Sequence, residues 1–343
     1  MEYRGKYLAF NLGRIQTYQV SERTNKVSMN DLLSPEHAME KVFDLPEDQA
    51  EKIEYLAAQM VEHRKSGKPV ILFTGGHLIK NGLGRITADL VDRDILTMIS
   101  GQGSTSIHDF ELALFGETSE YVPKGLENGT FGMAYEFGYI NTALQVGNRH
   151  KLGFGESLGR MICDAEFRSE VLAICGRDNA PQEFAHPEVS LLRACYEKDT
   201  PFTIHAGIGT DVLDQHASFD GEAKGGTSGR DFLIYTEEIT KFTEGGIALN
   251  VGSAVTGPEV LLKAVSMAAN IGKAPDNLIT ADFDMRDYAP DKMTDESSKF
   301  YYLRDQKSVV TRVPDAYNGK GYYIKGDQRE TFPYLYQKII EQL

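Results

Sequence analysis

A chain of 343 residues, 41% hydrophobic and 25% charged, has enough apolar length to bury one large core or two medium ones. Its formal charge of -14 argues against tracking a nucleic-acid backbone, which takes a basic face. No stretch reaches the roughly 18 apolar residues of a membrane span, and residues 1–6 lack the apolar run of a leader, so a cytoplasmic protein without nucleic-acid or membrane partners is expected.

Residues 1–65 read as an N-terminal extension. It holds a short strand at Tyr7-Leu8-Ala9-Phe10, a loop and short helix over 30–45, and an amphipathic helix from Glu47 to Lys65. In that helix Ala50, Ile53, Leu56, Ala57, Met60 and Val61 recur at three- and four-residue spacing on one face. Strand 69–73, helix 78–93, strand 95–99 and helix 106–116 follow, the βαβα order of a parallel sheet. A loop and helix occupy 119–149, a helix lies near 155–166, and Pro181 and Pro187 bracket a loop before helix 187–197. Strand 201–205 resumes the pattern. Residues 214–228, glycine-bearing and poor in apolar side chains, read as a long loop over the site. Helix 229–242, strand 246–251, helix 257–270 and strand 277–281 continue, then a polar tail, a last strand within 321–327 and a closing helix from Thr331 to Leu343. The expectation is an α/β fold, a Rossmann-like doubly wound parallel sheet, as one continuous domain over 66–343. Cys163, Cys175 and Cys195 lack CxxC spacing and read as reduced, small apolar side chains.

Short apolar strands ending in glycine-rich turns align their carboxyl-end loops on one edge, where open α/β sheets bind ligands. Thr74-Gly75-Gly76-His77 has the chemistry of a phosphate cradle, or of a tight turn needing positive φ; both readings are open. Ser100-Gly101-Gln102-Gly103-Ser104, at the end of the neighbouring strand, can face the same crevice. His108 can act as acid or base, and Asp109 can do so or can complement its own helix dipole. Asp211, in Gly207-Ile208-Gly209-Thr210-Asp211, suits a cation such as an amine. His205, Asp211, Asp214 and His216 match no familiar metal-ligand spacing, and no metal is expected. Lys299, Lys307, Lys320 and Lys325 can include a nucleophile if burial depresses an amine pKa.

These residues resemble the deoxyhypusine synthase family from about residue 66 to the C-terminus. Residues 73–83, Phe-Thr-Gly-Gly-His-Leu-Ile-Lys-Asn-Gly-Leu, resemble the family's strand, turn and helix. Residues 96–111 resemble its next strand, glycine turn and acidic helix. Ala206-Gly207-Ile208-Gly209-Thr210-Asp211 aligns with its aspartate-bearing loop, Gly252-Ser253-Ala254 with its glycine triplet, Ile279-Thr280-Ala281 with its late strand end, and Gly326-Asp327 with its acidic turn. The resemblance implies NAD bound by Thr74, Gly75, Gly76, His77, Ser100, Gly101, Gln102, Gly103, Gly252, Ser253, Thr280, Ala281 and Asp327. It also implies a tetramer, an amine held by Asp211, and transfer of an aminobutyl group from spermidine through a lysine, a role Lys299 or Lys307 fills only with a shift of register. The chain departs from the family at Ala206, which replaces an aspartate, and at Thr256-Gly257-Pro258-Glu259, which lacks the family's histidine. Residues 103–120, including Ile107-His108-Asp109-Phe110-Glu111, are also similar to the NAD-binding domain of archaeal-type ornithine cyclodeaminases. Together these imply an NAD-binding enzyme acting on a small amine or amino acid. The alternatives are a non-catalytic nucleotide- or metabolite-binding protein of the same fold, and a true deoxyhypusine synthase.

Overall fold

Apolar runs bounded by glycine become strands that bury both faces. The computed structural model describes residues 3–176 and 183–343; Pro181, one bracket of the expected loop, lies outside the described residues. Two short strands, β1 (Asn25–Ser28) and β4 (Glu117–Glu120), pair antiparallel as a separate ribbon. The main sheet holds β2 (Val70–Thr74), β3 (Met98–Gly101), β5 (Phe202–Ile204), β6 (Gly246–Val251), β7 (Leu278–Asp284) and β8 (Lys320–Lys325), every pairing parallel.

Its spatial order is β5-β3-β2-β6-β7-β8. Counting these strands along the chain, that is 3-2-1-4-5-6, the doubly wound Rossmann order. The chain winds outward from β2 to β5, returns to the middle at β6, and winds outward the other way. The side chains of β2 show the two faces: Val70 and Leu72 enter one core, Ile71 and Phe73 the other. Helices α2 (Glu47–Lys65), α4 (Gly84–Asp92) and α14 (Gln328–Ile340) supply the first core. Helices α11 (Gly221–Ile239) and α12 (Thr256–Asn270) supply the second. Ile53, Leu56, Ala57 and Met60 of α2 are 0% exposed, so this helix of the N-terminal extension packs into the sheet's own core.

Several elements differ from expectation for local reasons. Residues 7–10 form no strand, and Tyr7, Leu8 and Phe10 are exposed. Helix 78–93 is split into α3 (Gly76–Lys80) and α4 at Gly82, whose φ of +77° breaks it and whose Cβ position lies 2.1 Å from the Asp31 carbonyl oxygen. Ile95 and Leu96 are buried in the turn before β3, which continues to Gly101. Strand β7 runs on to Asp284, its two late aspartates disguising the continuation. The tail holds an unforeseen π-helix, Gln306–Arg312, against β7. The largest change is at 221–228, which is the start of α11: Asp220 caps it by accepting from the Glu222 and Ala223 amides. At the sheet's β5 edge, α8 (Phe154–Cys163) lies so close that a Cβ on Gly155 would sit 1.7 Å from the Phe202 oxygen. Asp231 of α11 accepts the Ile204 and Gly155 amides there, at 2.6 and 3.0 Å.

Candidate functional site

Neighbouring loops diverge where β2 meets β6, and open α/β sheets bind ligands in the crevice this leaves. The backbones close on each other there. The Gly75 amide donates to the Val251 oxygen at 3.1 Å, and the Thr74 hydroxyl reaches the same oxygen at 3.1 Å. A Cβ on Gly75 would lie 2.3 Å from the Gly252 carbonyl oxygen. Gly75 has φ of -86°, so close approach, not positive φ, demands glycine; the positive φ, +68°, belongs to Gly252. Gln328, at the start of α14, also reaches this point, its Oε1 being 3.4 Å from the Gly252 Cβ position.

Beside this turn, Gln102 caps α5 (Gly103–Phe115). A Cβ on Gly103 would meet the Asp211 carboxylate at 2.2 Å, which places Asp211 on the electropositive first turn of α5. Asp211 was expected as an unoccupied amine holder, but the chain supplies its own cation. Lys224, 1% exposed, donates to Asp211 Oδ2 at 2.9 Å, Asp214 Oδ1 at 2.5 Å and the Gly207 oxygen at 3.0 Å. Asp214 in turn accepts the Gly209 amide at 2.6 Å. Burial pushes the Asp211 carboxyl upward, and the Lys224 charge opposes this. Two carboxylates against one ammonium leave this cluster one negative charge when all three ionise.

A cleft of about 750 Å³ opens at the same carboxyl edge. Gln102, Gly103 and Ser104 come from the end of β3, residues 205–208 with Thr210 and Asp211 from the end of β5, and Thr256 and Val260 from α12. Helix α11 supplies Gly225, Ser228, Gly229 and Phe232. Cβ atoms at Gly225 and Gly229 would meet nothing within 4 Å, so these two glycines keep one wall open. His205, pushed down to about 3 by burial, is neutral at physiological pH and meets Thr203 Oγ1 at 3.1 Å. Its ring lies among Phe73, Phe232 and Tyr235. The sequence reading missed Lys224, Ser228 and Phe232. Their four-residue spacing, with Gly225 and Gly229 in step, is a helix-face signal that the glycines obscured.

A second polar chain ends near the β2 turn. Arg23 pairs with Glu111 at 2.6 Å, Thr118 donates to Glu111 Oε2 at 2.5 Å, and His108 Nδ1 meets Thr118 Oγ1 at 2.8 Å. The Thr118 proton is committed to Glu111, so its oxygen accepts from His108 Nδ1–H, which leaves Nε2 as an acceptor. Burial pushes His108 down to about 3. Its Cδ2 lies 3.1 Å from the Gly76 Cβ position.

In fold, the chain is similar to apo ArgZ, an arginine dihydrolase from the ornithine-ammonia cycle in cyanobacteria: TM-score 0.49, 13% identity, covering 87% of this chain and 33% of that one. It is similar to a conserved putative LOR/SDH protein from Methanococcus maripaludis S2, with TM-score 0.49 and 15% identity over 90% of this chain and 74% of that one. A third is AgrE in ternary complex with ornithine and NAD+, with TM-score 0.46 and 13% identity over 88% of this chain and 34% of that one. The chain spans about a third of the length of ArgZ and AgrE. No family model and no curated protein sequence matches it.

The remaining expected site residues divide clearly. Thr74, Gly75, Gly76, Gln102, Gly103, Gly252 and Ser253 gather at the central turn, with His77 exposed on α3. Ser100 is spent on Thr203 Oγ1 at 2.7 Å, and Gly101 sits under Thr105. Thr280 and Ala281 lie within β7, short of its end; both are 0% exposed, and the Thr280 hydroxyl donates to the Val309 oxygen. They therefore do not form the strand-end contact expected of them. Asp109 caps α10 (Leu191–Glu197), accepting from Ser190 Oγ at 2.6 Å and the Leu191 and Leu192 amides. Asp327 caps α14 and pairs with Arg329. Lys299 is exposed, with its Nζ 5.1 Å from the Phe300 ring centroid. Lys307 is 5% exposed, with its Nζ 3.4 Å from the Tyr301 ring centroid, and burial lowers its pKa.

Proposed function

We propose that this chain is an NAD-binding enzyme that acts on a small amine or amino acid in the cleft beside the central turn. The observation that carries the reading is the 3-2-1-4-5-6 sheet with its glycine-lined turn at β2 and β6, opening beside a cleft at the same edge. The chemistry of the donors fits a dinucleotide in part. Asp211 already occupies the first turn of α5, so an anionic pyrophosphate fits better over Gly75, Gly76 and Gly252. When bound, the cofactor supplies the hydride acceptor. The chain's own residues do the rest. The Asp211–Lys224–Asp214 cluster puts net negative charge behind one wall, which favours a substrate ammonium over a carboxylate nearby. Neutral His205 offers a polar contact without a fixed charge, Phe232 supplies apolar cover, and the Ser228 hydroxyl, donating to the Ile204 oxygen and accepting the Ala206 amide, holds the wall in place.

The test is extraction of copurifying nucleotide, followed by calorimetric titration of NAD. One NAD per chain is the expected result, and Gly229→Leu, whose side chain projects into open cleft space, should weaken amine binding at least tenfold. Absence of both nucleotide and heat refutes cofactor binding. The finer reading, deoxyhypusine-synthase-like transfer through an enzyme lysine, is favoured at Lys307 over Lys299 because only Lys307 has a buried, desolvated amine. In the same incubation with spermidine or ornithine, borohydride trapping followed by peptide mapping reads an adduct on Lys307. NAD heat without turnover of any amine leaves the non-catalytic binding protein instead.

A further inference from the structure

A cluster of carboxylates closes the far half of the sheet, outside the cleft. Along β7, Leu278, Thr280, Asp282 and Asp284 alternate onto one face, where the π-helix packs through the Thr280 to Val309 bond. Asp305 caps that π-helix, accepting the Gln306 amide at 2.9 Å. The fold thus brings Asp282, Asp284 and Asp305 together, and one oxygen from each lies within 4.8 Å of the others. The guanidinium of Arg286 spans Asp284 and Asp305. That is one positive charge for three carboxylates.

Asp282 is the group left over. It is 1% exposed, and one of its oxygens accepts from Asn250 Nδ2 at 2.7 Å. Its other oxygen, Oδ2, is buried with no hydrogen-bond partner among the described residues. The next residue after Asp305, Gln306, is 0% exposed and leaves its Oε1 without a partner among the described residues as well. Buried acceptors without donors are costly, so each calls for a donor or a cation. Oxygens up to 4.8 Å apart suit a hard ion, since ligands at roughly 2.0–2.6 Å from a shared centre lie up to about 4–5 Å from one another. Only oxygen donors are present, which selects the magnesium and calcium class over softer metals. Asp284 is 20% and Arg286 37% exposed at the side chain, so the cluster communicates with solvent.

We propose that Asp282, Asp284 and Asp305 bind one hard divalent cation where the end of β7 meets the π-helix. The ion fills the unmatched side of Asp282 and shares Asp284 and Asp305 with Arg286. Sequence spacing did not show this set, because its third carboxylate arrives from the far side of a polar excursion.

The test uses the purified chain, stripped with chelator and titrated with manganese alone. Free manganese is read by electron paramagnetic resonance and the stoichiometry by calorimetry. One saturable ion per chain is expected, weakened about tenfold or more in Asp282→Asn and unchanged in the exposed-site control Asp291→Asn. If Asp282→Asn does not fold by circular dichroism, Asp284→Asn carries the same expectation. No saturable binding by the wild type up to about 5 mM overturns the site. So does full-strength binding in a folded Asp282→Asn or Asp284→Asn.

Discussion

Asp231 and His108 show what burial does to single groups, in opposite directions. Burial pushes Asp231 up to about 8 and Asp109 to about 6, from 3.8. A carboxyl raised this way stabilises the fold fully below about 4, and the contribution is lost as pH rises through the folded value. His108 and His205 are pushed down to about 3, from 6.5. Their contribution is present above about 6.5 and is lost as pH falls toward 3. The two windows oppose each other up to about 6.5, and above it only Asp231 among these four still titrates. Asp231 therefore lowers stability as pH rises between about 6.5 and 8, and Asp231→Asn makes the change over that range shallower. Urea midpoints across the range check this, and a fall of equal size in the variant contradicts it. At this scale the position of Asp211 on the cleft was legible, because a carboxylate after a glycine loop is visible in the chain. Its partner was not, because Lys224 reads as an ordinary surface lysine until its helix is known.

Helix α11 is the element that sequence reading mistook most. Glycine costs roughly 1 kcal/mol in a helix interior, so Gly221, Gly225 and Gly226 argued for a loop over 214–228. Tertiary contacts override them: Asp220 caps the start, Lys224 and Asp231 anchor one side, and Tyr235 and Ile239 enter the core. The glycines are not equivalent. Gly225→Ala and Gly229→Ala place Cβ in open space and should stabilise by roughly 0.5–1 kcal/mol each. Gly226→Ala would set Cβ 2.4 Å from Asn148 Oδ1 and should gain less or lose. Chemical denaturation of the three variants decides; equal gains at all three would show that the Asn148 contact gives way freely. A stabilising substitution left unused at a cleft wall indicates that the space itself matters. By contrast, α2 and the cores of β2, β5 and β6 were legible, because an apolar pattern is the signal that burial imposes.

The whole molecule holds together more tightly than its linear order suggests. Residues 1–65 read as an extension, yet α2 fills one face of the sheet, and Leu56 is 0% exposed within the first core. Leu56→Ala should lower global stability by about 2–5 kcal/mol within a single cooperative transition. A separate early transition for the helix, seen by hydrogen exchange, would mark it as an appendage. The alternation of strands and helices made the sheet legible from the chain. The strand order was not, because it depends on which way each crossover turns.

Both flanks of that sheet are engaged by neighbouring elements at defined points. The Ile204 amide of β5 goes to Asp231, and α8 presses Gly155 onto the Phe202 oxygen. On the opposite flank the Lys325 amide of β8 goes to Gln49 of α2. Where these amides and this oxygen are engaged, an incoming strand would have to displace Asp231, α8 or Gln49 before it could continue the ladder, which works against strand addition at those points.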